Sequence, residues 1–145
     1  MFRFADLDRV IWPVRIGDAE FRGVFRILDR KTLRMREQDA ARALAGKLEA
    51  DGAPRTADDV VAMLEGMAER QDADEAMLRE RVLGWYDVED PQGAPLAFSV
   101  ERLDALLATD YGYKAFMAAL MQASREGPGK NSSPGPAGQP ARDQA

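Results

Sequence analysis

The sequence predicts an α+β fold in which a small N-terminal β-hairpin packs on a bundle of about four or five helices. Three observations lead to this prediction: apolar residues alternate near the N-terminus, helical periodicity follows, and Gly, Pro, Ser and Gln dominate the end of the chain. We expect one domain over residues 1–126, with the hairpin at 9–28 and the helical part at 29–126. Residues 127–145 contain no large apolar residue, which predicts a disordered tail.

The predicted hairpin rests on two runs of alternating residues on either side of Gly17 and Asp18. One face of the hairpin would carry Val10, Trp12, Val14 and Ile16 from the first run and Phe21, Gly23, Phe25 and Ile27 from the second. Pro13 indicates an edge strand, because proline cannot donate a hydrogen bond to a neighbouring strand. Two strands alone are marginally stable in water, so helices or another chain must cover the aromatic face.

Two long helices are predicted next. The first begins near Asp29 or Thr32 and ends near Ala50, with an alanine-rich stripe of Leu33, Ala41, Leu44 and Leu48. The second begins at Thr56, a good N-cap, and its apolar positions are Val60, Met63, Leu64 and Met67. Residues 71–75 are either a break or an exposed turn of a continuing helix. The same helical stripe resumes at Leu78, Val82 and Trp85.

Two shorter helices are predicted near the end of the domain. Asp90 to Gly93 form a Pro- and Gly-containing turn that closes a small hairpin or a loop. Ser99 then caps a short helix whose inward positions are Val100, Leu103, Leu106 and Leu107. Thr109 or Asp110 starts the last helix, with Tyr113, Phe116, Met117, Leu120 and Met121 on its apolar face.

Composition argues against several classes of function. The chain has no Cys and no His, so it lacks the usual ligands of transition metals, a thiol nucleophile and an imidazole base. The carboxylates that remain as candidate acid/base or metal pairs are Asp58 with Asp59, and Asp72 with Asp74 and Glu75. Both groups lie where the sequence predicts exposure, at a helix start and in a polar interval. We therefore expect no catalytic residue, no cofactor and no metal.

Charge and hydropathy bear on location and on partners. The first ten residues include two aspartates where a signal peptide would need an apolar core, and no apolar run approaches the roughly 18 to 20 residues of a membrane span, so we expect an intracellular protein. The net charge of −5 disfavours nucleic acid as a partner. A local basic cluster comprises Arg30, Lys31, Arg34 and Arg36. It is typical of a solvated helix start, and a DNA-binding surface is the alternative.

Large side chains supply the candidate binding residues. The aromatic candidates for a partner-binding surface are Trp12, Trp85, Tyr111, Tyr113 and Phe116, with core packing favoured for each over binding. The methionines Met63, Met67, Met77, Met117 and Met121 are expected to fill gaps between helices. An adaptable methionine surface, of the kind that suits a chaperone, is the alternative for them.

Three segments stand out in combination: WPV in the first strand, FRIL at 25–28 and VLGWYDVEDPQGAPLAFSVERLDALL at 82–107. With them, the sequence resembles the tail assembly chaperones of long-tailed, siphovirus-type bacteriophages and prophages, and the similarity covers most of residues 9–121. The resemblance implies a noncatalytic protein of the bacterial host cytoplasm that binds the tape-measure protein and helps recruit tail-tube subunits. It also implies possible self-association and, in some systems, a longer frameshifted form. The alternatives are a small acidic secretion-type chaperone and an antitoxin-like or repressor-like regulator.

Overall fold

The computed structural model describes residues 9–50 and 56–127, with the side chains of 47–50 excepted. Its elements in chain order are β1 (Val10–Ile16), β2 (Ala19–Phe25), α1 (Arg30–Ala50), α2 (Ala57–Arg81), β3 (Val82–Tyr86), α3 (Val100–Leu107) and α4 (Asp110–Glu126). The predicted α+β class is confirmed. The predicted tail lies outside the described residues beyond Gly127, as does the Leu48 side chain.

The sheet contains a third strand that the helical spacing did not predict. The expectation that Val82 and Trp85 continue the second helix is wrong, because α2 ends at Arg81 and Val82 begins β3. All five residues of β3 are buried, and the strand pairs antiparallel with β2 in the order β1-β2-β3. A run of β-branched and aromatic residues around a glycine favours a strand, and pairing with β2 satisfies its backbone groups.

Gly23 at the middle of β2 lets aromatic side chains fill the inner face of the sheet. Trp12 on β1 and Trp85 on β3 are its cross-strand partners. A Cβ atom at this position would lie 2.7 Å from the Phe25 ring, so the missing side chain makes room for that ring. The inner face is therefore a continuous aromatic and aliphatic surface.

Helix α4 packs across this inner face and forms the core with it. Phe116 is fully buried, and its ring lies edge-on to Phe21 and Phe25 with centroid distances of 5.7 and 6.4 Å. The other large side chains that are fully buried are Trp85, Phe25, Leu78, Leu103, Leu120, Val10, Val14, Val24 and Val82. A smaller cluster on the opposite face comprises Ile11, Val24, Leu83 and Tyr86. The helices are therefore organised around one face of the sheet.

Helix N-caps occur where the sequence predicts them. Asp29 accepts a hydrogen bond from the Thr32 N–H at 2.7 Å, and this bond holds the pKa of the Asp29 carboxyl below its ordinary value. Thr56 and Asp59 form a reciprocal capping box at the start of α2. Ser99 caps α3 and Thr109 caps α4. Helix α2 continues through 71–75 without a break, as one of the two alternatives predicted, but Asp74 and Glu75 in that interval are half-buried and not exposed as expected.

The loop between β3 and α3 is a closed turn that holds Trp85. Asp90 accepts hydrogen bonds from the N–H groups of Gln92 and Ala94, each at 2.9 Å, and Glu89 bridges to Pro95. The Leu96 carbonyl, which follows this turn, accepts the indole N–H of Trp85 at 2.9 Å. The loop therefore satisfies the one polar group of a buried tryptophan. No helix within 9–50 and 56–127 is both long and apolar enough to cross a membrane.

Replacing Gly112 tests the packing at the start of α4, and Gly66 in the middle of α2 is the matched control. A Cβ atom at Gly112 would lie 2.1 Å from the Leu106 carbonyl oxygen, whereas at Gly66 the nearest atom is an Arg70 guanidinium nitrogen at 3.7 Å. We expect Gly112→Ala to lower the free energy of unfolding by about 3 kcal/mol, because backbone must shift. Gly66→Ala should raise it by about 0.5–1 kcal/mol through helix propensity. Urea unfolding followed by circular dichroism measures both, and an undiminished Gly112→Ala stability would contradict the packing.

Candidate functional site

The five aromatic candidates occupy different environments. Trp12, Trp85 and Phe116 are buried against the sheet and α4, and Trp85 is only 1% exposed. The Trp12 indole donates to the Gln122 side chain at 3.3 Å. Phe98 meets the Trp85 ring edge-on with a centroid distance of 4.9 Å. Trp12, Trp85 and Phe116 are therefore core residues in the folded chain. A partner could contact them directly only if the core opened.

Tyr111 and Tyr113 lie near each other in sequence on α4 but have different surroundings. Tyr111 is 60% exposed. Tyr113 is half-buried, and its hydroxyl donates to Asp74 of α2 at 2.8 Å. Of the five aromatic candidates, Tyr111 alone presents its ring to solvent. A partner-binding role for these residues stays a prediction.

A polar cluster that the sequence patterns do not predict joins three helices, and we call it the latch. It consists of Arg36 on α1, Asp74 on α2 and Tyr113 on α4: Asp74 accepts from the Tyr113 hydroxyl and forms an ion pair with Arg36. Burial, together with the hydrogen bond to Asp74 and the negative charge of that carboxylate, raises the pKa of Tyr113 to about 12. The latch holds α1 and α2 together beside α4.

A groove opens between α1, α2 and α4 next to this latch. Ala40 and Ala43 line it from α1, Met67 and Arg70 from α2, and Met117 and Met121 from α4; its volume is about 490 Å³. The two long helices each pack on α4, and little packing joins them directly. The groove therefore has a floor on α4 and two walls that extend beyond it.

We define the helical arm as residues 38–50 of α1 and 57–70 of α2, the parts of the two helices that lie beyond the latch. Every described side chain of the arm except Gly66 is exposed. This includes the four residues expected to face the core from the second helix: Val60, Met63, Leu64 and Met67, with Leu64 55% and Met67 42% exposed. The expectation that Met63 and Met67 fill gaps between helices is wrong, whereas Met77, Met117 and Met121 pack against the core.

These four apolar residues form one stripe along α2, which we call the α2 stripe. Their spacing of three, four and seven residues places them on a single helix face, and Asp74 and Leu78 continue that face into the body of the protein. The stripe thus extends the face that packs on α4, and its four side chains are between 37% and 55% exposed. Exposed apolar patches rimmed by polar residues mark sites of association.

The remaining candidate groups are tied to structural roles or exposed. Asp59 serves the capping box, Asp74 serves the latch, and within the described ranges no group of three acidic residues is arranged to hold a metal ion. In the basic cluster, Arg36 belongs to the latch, while Arg30, Lys31 and Arg34 are exposed at the start of α1. The feature with the clearest capacity to bind a ligand is therefore apolar.

Comparisons with protein-family models, with curated proteins and with solved structures gave no match to this chain.

Replacing Trp85 tests its role in the core. We expect Trp85→Ala to lower the free energy of unfolding by about 3–5 kcal/mol, since it removes a buried ring and strands the Leu96 carbonyl. The matched control is Tyr111→Ala, an exposed aromatic that should change stability by less than about 0.5 kcal/mol. Thermal and urea unfolding measure both. Equal stability of the two variants would show that Trp85 is not a core residue.

Alkaline pH tests the latch. The pKa of Tyr113 rises from its ordinary value of 10.0 to about 12 in the folded chain. The folded state therefore retains the hydroxyl proton to a higher pH than the unfolded chain does. The resulting stabilisation is present below pH 10 and is lost as pH rises from 10 to 12. Tyr113→Phe should cost about 1 kcal/mol at neutral pH. The stability difference between wild type and this variant should shrink between pH 10 and 12, and a constant difference would contradict the latch.

Proposed function

We propose that the protein is a noncatalytic chaperone of phage tail assembly, which binds the tape-measure protein and helps recruit tail-tube subunits in the cytoplasm of the bacterial host. The observation that carries this proposal is the exposed α2 stripe beside the groove between α1, α2 and α4. The resemblance of residues 9–121 to such chaperones supplies the identity of the client, and the stripe supplies a surface on which a client can bind.

The distribution of exposed apolar side chains supports protein binding by the long helices. Nine large apolar side chains are exposed among the described residues, and seven of them lie on α1 and α2. They are Met35, Leu44, Val60, Val61, Met63, Leu64 and Met67. Because such side chains are normally scattered singly over a surface, their concentration on two helices indicates a site of association.

The shape of the stripe suits a helical client. Residues 60–67 span about 10 Å at a rise of 1.5 Å per residue, or two helical turns. An amphipathic helix binds such a surface through its own residues at positions i, i+3, i+4 and i+7. Methionine side chains at the site can adapt to different apolar partners, because their three rotatable bonds and polarisable sulfur tolerate irregular contacts. A long helical protein could present many such segments.

The chemistry of the groove supports a noncatalytic role. Its lining combines small and apolar side chains with one amide, two arginines and two aspartates. Arg36 and Asp74 are paired in the latch, and the chain has no His or Cys to act as a base or a thiol nucleophile. The groove therefore offers apolar contact area in place of reactive groups.

Affinity capture from cells that produce the parent phage or prophage tests the proposal. Tagged wild type should retain the tape-measure protein, identified by mass spectrometry. Met67→Glu should retain at least about tenfold less, since a charge would be buried in the contact. Tyr111→Glu, a charge at an exposed aromatic outside the stripe, should retain it at the wild-type level.

Three results would overturn the proposed function. Tape-measure protein could be missing from the wild-type capture although the cells are confirmed to make tails. DNA could be captured instead, in a salt-sensitive manner, which would support the regulator. A secreted effector could be captured instead, which would support the secretion-type chaperone.

A further inference from the structure

We propose that the outer face of the sheet, opposite α4, is a docking surface whose occupant is the chain's own first eight residues, MFRFADLD. This surface shares no residue with the α2 stripe or with the groove, so its occupant does not depend on the proposed function. Two observations on the described residues point to an occupant: the outer face is buried, and a glycine at its centre is buried with it.

The outer face of the sheet is buried although α4 packs on the other side. Its apolar side chains are between 1% and 8% exposed, and they are Ile11, Val24, Leu83 and Tyr86. A sheet face that is open to water would leave such side chains exposed. Within 9–50 and 56–127, this buried cluster consists of strand residues alone, so a further layer has to cover it. Because this is the burial of a single chain, the covering groups belong to the same chain.

Gly84 gives independent evidence for a covering layer. It is the cross-strand partner of Val24, so it lies on the same face of the sheet. Gly84 is buried, yet a glycine has no side chain with which to shield its own backbone. Glycine inside a strand often marks a place where another part of a chain approaches closely. Position 84 therefore offers a shallow seat at the centre of the outer face.

Residues 1–8 are long enough to cover this face. They precede β1, which begins at Val10 and is an edge strand of the sheet. Eight extended residues reach at most about 26–29 Å. Three strands at a spacing of about 4.8 Å are only about 10 Å across. The segment can therefore run from β1 across β2 to β3.

The apolar residues of this segment distinguish it from the other parts of the chain outside the described ranges. Phe2 and Phe4 are two residues apart, so in an extended segment both rings lie on one side. Residues 51–55 and 128–145 contain no large apolar residue. Of these three segments, only residues 1–8 can bury aromatic rings on the sheet.

Charge on the outer face favours the same occupant. The Arg22 guanidinium lies over the Tyr86 ring, 5.9 Å from its centroid, and is therefore on this face. In an extended segment, Asp6 lies on the same side as Phe2 and Phe4. Its carboxylate is then attracted to this guanidinium, which already donates to Asp87.

With residues 1–8 in place, both faces of the sheet are covered, by α4 on one side and by this segment on the other. An apolar partner would reach the outer face only by displacing the segment. The first eight residues then belong to the folded domain, although they precede its first strand.

Nuclear magnetic resonance of the full chain tests the occupant directly. In protein with labelled methyl groups, nuclear Overhauser contacts should join ring protons of Phe2 or Phe4 to methyl groups of Ile11, Val24 or Leu83. If these methyl groups contact neither ring, the inference is overturned. A mixture of labelled and unlabelled protein identifies the source of the segment. Contacts that cross between chains would show that a second copy supplies it, which also overturns the inference.

A matched pair of substitutions in the segment provides a second test. Phe4→Ser should lower the melting temperature by about 5 °C or more, because it uncovers apolar surface on the sheet. Arg3→Ser is the control, since position 3 lies on the opposite side of an extended segment. Its melting temperature should stay within about 2 °C of wild type. If Phe4→Ser melts as wild type does, the segment does not cover the sheet.

Gly84→Val distinguishes a covered position from an open one. On an open strand a β-branched side chain would raise the melting temperature, because glycine is a poor strand former. Beneath the segment the same side chain takes up occupied space, so we expect the melting temperature to fall by about 5 °C or more. A raised or unchanged melting temperature would overturn the inference.

Discussion

The packing of α4 across the inner face of the sheet is the interaction on which the rest of the structure depends. Phe116 inserts between Phe21 and Phe25, and the missing side chain at Gly23 gives the Phe25 ring its space. The strand β3 adds Trp85 to the same face, and the loop after it satisfies the indole N–H. Edge-to-face aromatic contacts of this kind stabilise a core beyond the area that they bury. The inner face of this small sheet therefore packs against a single helix, α4.

This compact core determines what the long helices can do. Only the ends of α1 and α2 nearest the body reach α4, where the latch of Arg36, Asp74 and Tyr113 holds them. Beyond the latch both helices extend past the floor of the groove, and most of the apolar side chains there are exposed. Exposing such side chains in a monomer costs solubility, and association with another helix removes that cost. The described part of the chain thus consists of a compact base and a helical arm whose apolar side chains are exposed.

Much of the fold could be predicted from short sequence patterns such as helix caps, because a cap depends only on residues that are near each other in the chain. The caps Thr56, Ser99 and Thr109 were readable from the sequence, since a hydroxyl oxygen at the start of a helix satisfies free N–H groups wherever the helix packs. The third strand was missed because Leu78, Val82 and Trp85 are also spaced as on a helix, and a short apolar run fits either structure. The strand forms because it pairs with β2, which is distant in sequence, and the spacing of apolar residues gives no information about such a pairing.

The candidate site was harder to predict for a related reason. Periodicity identifies the apolar face of α2 but does not say whether another element covers that face. The aromatic residues of α4 and of the two strands looked suitable for binding, yet Trp12, Trp85 and Phe116 are held in the core and only Tyr111 is open. The methionines were the useful signal, because a flexible side chain serves equally as a gap filler and as a binding surface. Their neighbours in space decide between the two roles.

We propose that the α2 stripe is a protein-binding surface, and crosslinking at that surface in living cells is the sharpest test. A photoreactive amino acid would replace Leu64 in the stripe and, in a separate protein, Ala94 in the exposed turn after β3. After irradiation of tail-producing cells, we expect covalent adducts with tape-measure protein at position 64 and none at position 94. Adducts at position 94 without adducts at position 64 would contradict it.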